Sequence, residues 1–129
     1  MKIVAHVLDS TYGQSIAGLH AYLERASGDG WVRLCDTETN SEGCIEDWDD
    51  GQLERGLYRI VFDNERYFAA LGAITVYPEV VIIFRMPSES RTCLVQVALS
   101  PYSYSTYFGV TEAIRKAGER YPWRKRTTP

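Results

Sequence analysis

A chain of 129 residues is long enough for one domain whose hydrophobic core needs no disulfide or metal ion. Its net charge of −3 argues against nucleic-acid binding, and no stretch is apolar for long enough to span a membrane. Three cysteines without metal-ligand spacing argue against a zinc site and favour a reducing compartment, so we expect a cytoplasmic protein without a metal or cofactor.

Short apolar runs separated by Gly, Pro, Asn and Asp predict an all-β protein, and the abundance of tyrosine fits this class. Alternation between apolar and polar residues is clearest over residues 17–24, which is typical of a half-buried strand. In chain order, the pattern predicts eight strands, at residues 3–8, 17–24, 31–35, 45–48, 56–62, 80–84, 92–99 and 102–110.

A single short helix is predicted between the fifth and sixth strands. Asp63 is suited to cap it, residues 64–71 continue it, and Gly72 can end it in the left-handed conformation. The nearly continuous apolar run 80–84 indicates a strand buried on both faces. Because the connecting turns are short and polar, we expect antiparallel neighbours in two packed sheets.

Four sequence motifs occur in a fixed order. They are His6-Val7-Leu8-Asp9 with its following loop, the turn at 39–43 (similar to Thr-Asn-x-Asp-Gly), the segment 58–80, and 99–107, which is close to Leu-Ser-Pro-Tyr-Gly-Tyr-Ser-Thr-Tyr. Together they cover residues 3 to 110 and resemble the transthyretin-like 5-hydroxyisourate hydrolase family. The resemblance implies an eight-stranded antiparallel β-sandwich with one short helix, in two four-stranded sheets. It also implies a homotetramer (a dimer of dimers formed through edge strands) with a central channel.

The resemblance implies particular residues in that channel. The hydrolases supply a His from the first strand, an Arg after the Asp-Gly turn and a His from the seventh strand. In this sequence, His6 stands at the first position, Cys44 replaces the Arg and Leu94 replaces the second His. Ser105 and Tyr107 are expected to line the channel, and the Arg that follows the family's last Tyr is replaced by Phe108.

His6 is our candidate acid–base catalyst, although a lone His on a strand is more often structural. Transthyretin has a Lys at this position, so His6 favours the enzymes of the family. Cys44 has two interpretations: a nucleophile activated by His6, or a small side chain that fills space. If it is a nucleophile, it should be the most reactive thiol. Leu94 can transfer no proton and is interpreted as an apolar wall, and His20 as a surface residue.

Residues 111–129 form a basic C-terminal extension beyond the domain at 1–110. Six lysines and arginines stand there against two glutamates. The segment is either a solvated terminus or a cover near the channel mouth, because Thr111 can cap a short helix ending at Gly118 whose one side is weakly apolar.

Three functions remain open from the sequence. The first is a divergent enzyme of the family, hydrolase-like or lyase-like, that acts on a small heterocycle in the channel and uses His6. The second is a binder of small aromatic ligands like transthyretin, and the third is retained 5-hydroxyisourate hydrolysis in purine degradation. In each case the expected partners are a small molecule and further copies of the chain, with no nucleic acid and no membrane.

Overall fold

The computed structural model describes residues 2–48, 53–86 and 92–111. Nine strands and one helix form within them. They are β1 (Lys2–Asp9), β2 (Gln14–Ser15), β3 (His20–Ser27), β4 (Gly30–Glu38), β5 (Cys44–Ile45), β6 (Gly56–Asp63), α1 (Asn64–Ala70), β7 (Glu79–Met86), β8 (Thr92–Leu99) and β9 (Tyr104–Thr111).

The strands form two sheets. One has the order β2-β1-β8-β9, with the short strand β5 also paired to β1, and the other has the order β4-β3-β6-β7. The expected all-β sandwich with one short helix is confirmed. One neighbouring pair differs from the expectation, since β1 and β8 run parallel while every other pair is antiparallel. Because parallel partners need a long crossover, turn signals cannot reveal such a pair.

The core lies between the inner faces of the two sheets. In β1 the inward residues alternate with outward ones, so Ile3, Ala5 and Val7 join the core while His6 faces away from it. From the opposite sheet, β6 contributes Tyr58, Ile60 and Phe62, each with no exposed surface. Burying a large apolar side chain stabilises a fold by about 1.5–3 kcal/mol, so this layer fixes which face of β1 points outwards.

The helix begins and ends as the sequence predicts. The Asp63 carboxylate accepts a hydrogen bond from the backbone N–H of Arg66, as a helix cap does. At the other end Gly72 has φ of +77°, the left-handed conformation that glycine adopts without strain. The helix packs its Phe68 into the core.

The prediction that the strand at 80–84 is buried on both faces is wrong. β7 shows strict alternation: Val80, Ile82 and Phe84 are buried, whereas Val81 and Ile83 are 37% and 56% exposed. The reason is its position, since β7 is the edge strand of its sheet and only its inner face meets the other sheet. The run is continuously apolar because its outward positions are also a valine and an isoleucine, although these side chains are exposed.

Smaller differences concern strand number and boundaries. Nine strands form among the described residues where eight were expected, because the two-residue strand β2 was not predicted. Ser27 lies beyond the strand predicted at 17–24 but pairs with Gly30 as the last residue of β3, because a two-residue turn with Gly28 at φ +60° joins the strands. Thr111, the expected helix cap, is the last residue of β9. The predicted helix at 112–117 and the rest of the extension lie outside the described residues. Within the described ranges, no helix is both long and apolar enough to cross a membrane.

Candidate active site on the outer face of the first sheet

A row of four side chains crosses the outer face of the sheet that contains β1. Cys44 of β5 lies opposite His6 of β1, His6 lies opposite Gln96 of β8, and Gln96 lies opposite Tyr107 of β9. Residues directly opposite each other on paired strands project from the same face. The row therefore places the predicted residues His6, Cys44 and Tyr107 on one surface and adds Gln96 between two of them.

Both ring nitrogens of His6 have a polar neighbour. The Oγ of Ser15 lies 3.3 Å from Nε2, and the amide Nε2 of Gln96 lies 3.2 Å from Nδ1. The imidazole is 7% exposed, so these contacts rather than bulk water define its surroundings. A neutral imidazole carries one N–H and one acceptor nitrogen, so with Gln96 donating to Nδ1 the ring proton is on Nε2 and points at Ser15.

Cys44 lies beside His6 but its thiol is buried. The residue is 1% exposed, and its Sγ lies 3.9 Å from the main-chain carbonyl of Glu42, to which it donates a weak hydrogen bond. The turn before it is tight: Asn40 Oδ1 accepts from the N–H of Cys44 at 2.9 Å. Gly43 has φ of +79°, and a Cβ there would meet the Val7 carbonyl oxygen at 2.8 Å, so glycine lets this turn approach β1.

The remaining predicted residues lie on the same face. Leu94 is two residues before Gln96, is 4% exposed and pairs with Val4 of β1. Ser105 is exposed and lies opposite Ala98, while Tyr107 is 65% exposed. An apolar side chain thus occupies position 94, and a hydroxyl-bearing strand borders the row. Their roles in binding remain predictions.

Ser15 and Gln96, the two partners of His6, were not predicted from the sequence. For Gln96 a signal existed, since it is the single amide in the otherwise apolar strand β8, where a polar residue is unusual. For Ser15 there was none, because its approach to His6 depends on the two-residue pairing of β2 with β1.

A second polar group, centred on Asp9, fixes the end of β1. Asp9 is fully buried, and its carboxylate accepts hydrogen bonds from the backbone N–H of Thr11 at 2.8 Å and from the Tyr67 hydroxyl at 2.7 Å. Burial, and next the hydrogen bond to Asp9, raise the pKa of the Tyr67 phenol well above its usual range. The phenol is therefore a permanent donor that joins α1 to β1.

The other histidine and cysteines lie elsewhere. His20, predicted at the surface, is partly exposed on the opposite sheet and pairs with Asp36. Cys93 points into the core, where burial raises the pKa of its thiol, and Cys35 is partly exposed on β4. Within residues 2–48, 53–86 and 92–111, none of the three cysteines forms a disulfide.

The comparison with known proteins agrees with the motifs. A model of the HIUase/Transthyretin family matches residues 3–109. The mouse protein named 5-hydroxyisourate hydrolase is 36% identical over 110 residues, which cover 83% of this chain and 93% of the mouse protein. A Pseudomonas aeruginosa protein of the same name is 34% identical over 114 residues, which cover 84% of this chain and 90% of that protein.

Solved structures show the same architecture. Klebsiella pneumoniae 5-hydroxyisourate hydrolase superimposes with a TM-score of 0.73 at 24% identity, covering 84% of this chain and 97% of the other. Sea bream transthyretin, solved in complex with thyroxine, superimposes with a TM-score of 0.80 at 23% identity, covering 88% and 98%. At these identities the match establishes the fold and no more.

Proposed function

Because the chain belongs to the HIUase/transthyretin family, we propose that it is a divergent hydrolase of that family which opens a small heterocyclic substrate, with His6 as its acid–base residue. The observation that carries the proposal is the imidazole held between Ser15 and Gln96 on the outer face of the sheet. The names of the relatives support an enzyme.

The proposed reaction is hydrolysis of a ring C–N bond. In the tautomer with its proton on Nδ1, which is the opposite of the one that a Gln96 donor favours, Nε2 of His6 takes a proton from a water molecule as the water oxygen attacks the ring carbonyl carbon. When the C–N bond breaks, the imidazolium returns that proton to the departing nitrogen, so a single residue acts as base and then as acid. Ser15 borders this nitrogen and can relay or orient the water.

Either the substrate differs from 5-hydroxyisourate, or the protein hydrolyses 5-hydroxyisourate only slowly. Cys44 offers no fixed positive charge to a developing oxyanion, and buried Leu94 offers no proton. A substrate that needs less anion stabilisation fits these residues better. Ser105 and exposed Tyr107 then provide hydroxyls along the border of the site.

Turnover of a panel of cyclic imides, lactams and 5-hydroxyisourate, followed by ultraviolet absorbance, tests the proposal. His6→Ala should lower the rate for the best substrate by about 10²–10⁴-fold, the usual contribution of a general acid–base. His20→Ala removes the other histidine, on the opposite sheet, and should leave the rate unchanged. If no member of the panel is turned over, or if His6→Ala is as fast as the wild type, the proposal fails.

A second candidate is a binder of small aromatic ligands. It is favoured by the replacement of two expected catalytic positions by Cys44 and Leu94, which makes this face less polar. If the protein is a binder, His6→Ala should change ligand affinity, and neither the wild type nor any variant should convert a substrate. Isothermal titration with aromatic acids separates the two candidates.

We further propose a homotetramer in the cytoplasm. Tyr102, Tyr104 and Tyr107 are 70%, 40% and 65% exposed in the single chain, an apolar surface that a second copy would cover. The three cysteines form no disulfide among the described residues, which fits a reducing compartment. In such an assembly the row around His6 would line a channel between copies.

A further inference from the structure

We infer that Gln96 is the positioning residue of this site and that rotation of its side-chain amide selects which nitrogen of His6 carries the proton. The catalytic part of this inference rests on the proposed function, whereas the contact between the two side chains does not. Gln96 acts through His6, so it is not itself a catalytic residue.

The position of Gln96 supports the inference. In the resemblance to the hydrolases, the family's second His falls at position 94, where this chain has Leu94. Residues two apart on a strand share a face, so Gln96 lies on the same side of β8 as Leu94. It stands directly opposite His6 in the parallel pairing of β1 and β8. The polar partner has therefore moved by one step along the same face.

The main chain of Gln96 is fixed while its amide is able to turn. The hydroxyl of Thr106 donates to the Gln96 carbonyl at 3.0 Å, within the ladder that joins β8 and β9. The side-chain amide ends in an oxygen and an NH₂ of nearly the same shape, and half a turn about its last bond exchanges an acceptor for a donor. Nδ1 of His6 can thus meet either group at the same 3.2 Å separation.

The two amide orientations give His6 opposite properties. With NH₂ towards Nδ1, the ring proton lies on Nε2 and is donated to Ser15, 3.3 Å away, so Nε2 cannot accept a proton. With the amide oxygen towards Nδ1, that nitrogen holds the proton and Nε2 presents its lone pair on the Ser15 side. The second orientation is the base, and it also stabilises the imidazolium, whose two nitrogens both donate.

Other titratable groups lie on the same face of the sheet. Cys44 on β5 and Tyr107 on β9 occupy the same row, and the Lys2–Glu46 ion pair, with 3.8 Å between its charged atoms, lies further along the face. The thiol of Cys44 donates to Glu42. Gln96 lies opposite His6 in the strand pairing, and its amide is the group in contact with Nδ1.

Nuclear magnetic resonance of ¹⁵N-histidine-labelled protein tests the contact without any substrate. The sequence has two histidines, so His20→Gln identifies the signals of His6. In Gln96→Glu the carboxylate can only accept, so neutral His6 should move from the Nε2–H form to the Nδ1–H form. Its titration midpoint should rise by about one pH unit or more, because an adjacent carboxylate favours the imidazolium. Thr106→Val, which touches only the main chain of Gln96, should change neither property.

Activity provides the second measurement. Gln96→Met keeps the length of the side chain without its amide, and we expect kcat to fall about tenfold or more with KM nearly constant. In Gln96→Glu the acid limb of the pH–rate profile should move upwards with the His6 midpoint. Identical His6 tautomer and midpoint in wild type and Gln96→Glu would overturn the inference. If the His6 spectra change as expected but the protein turns over no substrate, the role of Gln96 is supported and the proposed function is rejected.

Discussion

His6 and Gln96 lie opposite each other on two parallel strands that are 90 residues apart in the chain, and their side chains meet at 3.2 Å. This contact is the centre of the row that also holds Cys44 and Tyr107.

The first prediction is that 5-hydroxyisourate decays far more slowly with this protein than with the mouse relative. Loss of one charge-stabilising donor commonly lowers a rate on the order of a hundredfold or more, and here the position of a proton-transfer group is occupied by Leu94 as well. Decay is measured by ultraviolet absorbance at equal enzyme concentrations, with His6→Ala as the background control. A rate equal to that of the mouse protein would show that other groups replace the missing ones.

Cys44→Ser is expected to be mild, with a change in turnover of less than about threefold. The thiol is buried and directed at a main-chain carbonyl, so it behaves as a small space-filling side chain. Alkylation by a bulky reagent should occur first at partly exposed Cys35, with Cys35→Ser as the matched control. Preferential labelling of Cys44, together with a loss above a hundredfold in Cys44→Ser, would instead identify a nucleophile.

The assembly is expected to be a tetramer at micromolar concentration, measured by light scattering coupled to size exclusion. Two exposed valines on edge strands give a matched pair: Val110 on β9 and Val32 on β4. Val110→Asp should weaken association, because it adds a charge beside the tyrosines of the last strand, whereas Val32→Asp should have little effect. A monomeric wild type would contradict the prediction.

Deleting residues 112–129 should change ligand affinity or tetramer stability, if the basic extension covers the channel mouth. The deletion leaves β9 intact because that strand ends at Thr111. A shorter deletion that keeps residues up to 118 retains the predicted apolar helix face and serves as the control. Equal affinity and equal tetramer stability in all three proteins would mean that the extension is only a solvated terminus.

Tyr67→Phe should lower the free energy of unfolding by about 1–3 kcal/mol, since it removes a donor from the buried carboxylate of Asp9. The folded state raises the pKa of the phenol, mainly through burial. The stability that Tyr67 contributes is therefore fully present below about pH 10, the ordinary tyrosine value, and is lost as the pH rises further. Urea unfolding between pH 7 and 11 should show a shallower alkaline decline in Tyr67→Phe than in wild type. Exposed Tyr102→Phe is the control, and equal declines would contradict the prediction.

Local patterns predicted local structure well. The helix cap at Asp63 and the left-handed Gly72 depend on a few neighbouring residues, so the sequence is sufficient to find them. The strand predicted at 56–62 is likewise found as β6 (Gly56–Asp63). The sequence pattern does not show whether a strand lies at the edge of its sheet, so the exposure of one face of β7 was not predicted.

The site was predicted only in part because its geometry depends on register between distant strands. The family resemblance led to His6 and Cys44, which the pairing of β5 with β1 then brings side by side. Ser15 and Gln96 reach the same imidazole through two further pairings, and neither pairing has a signature in the local sequence. A shift of one residue in β8 would turn the Gln96 amide into the core.

The parallel pairing of β1 with β8 also has a consequence for how the protein folds. β1 is made first during synthesis, yet its central partner spans residues 92–99. Contacts between such distant segments form late, because the chain between them must lose its freedom before they give any stabilisation. The imidazole of His6 should therefore remain without Gln96 until almost the whole chain has left the ribosome. Refolding followed by the His6 signal should be slower than refolding followed by Tyr58 in the β4-β3-β6-β7 sheet, whose strands all precede β8. Proteolytic fragments that end before β8 should be inert.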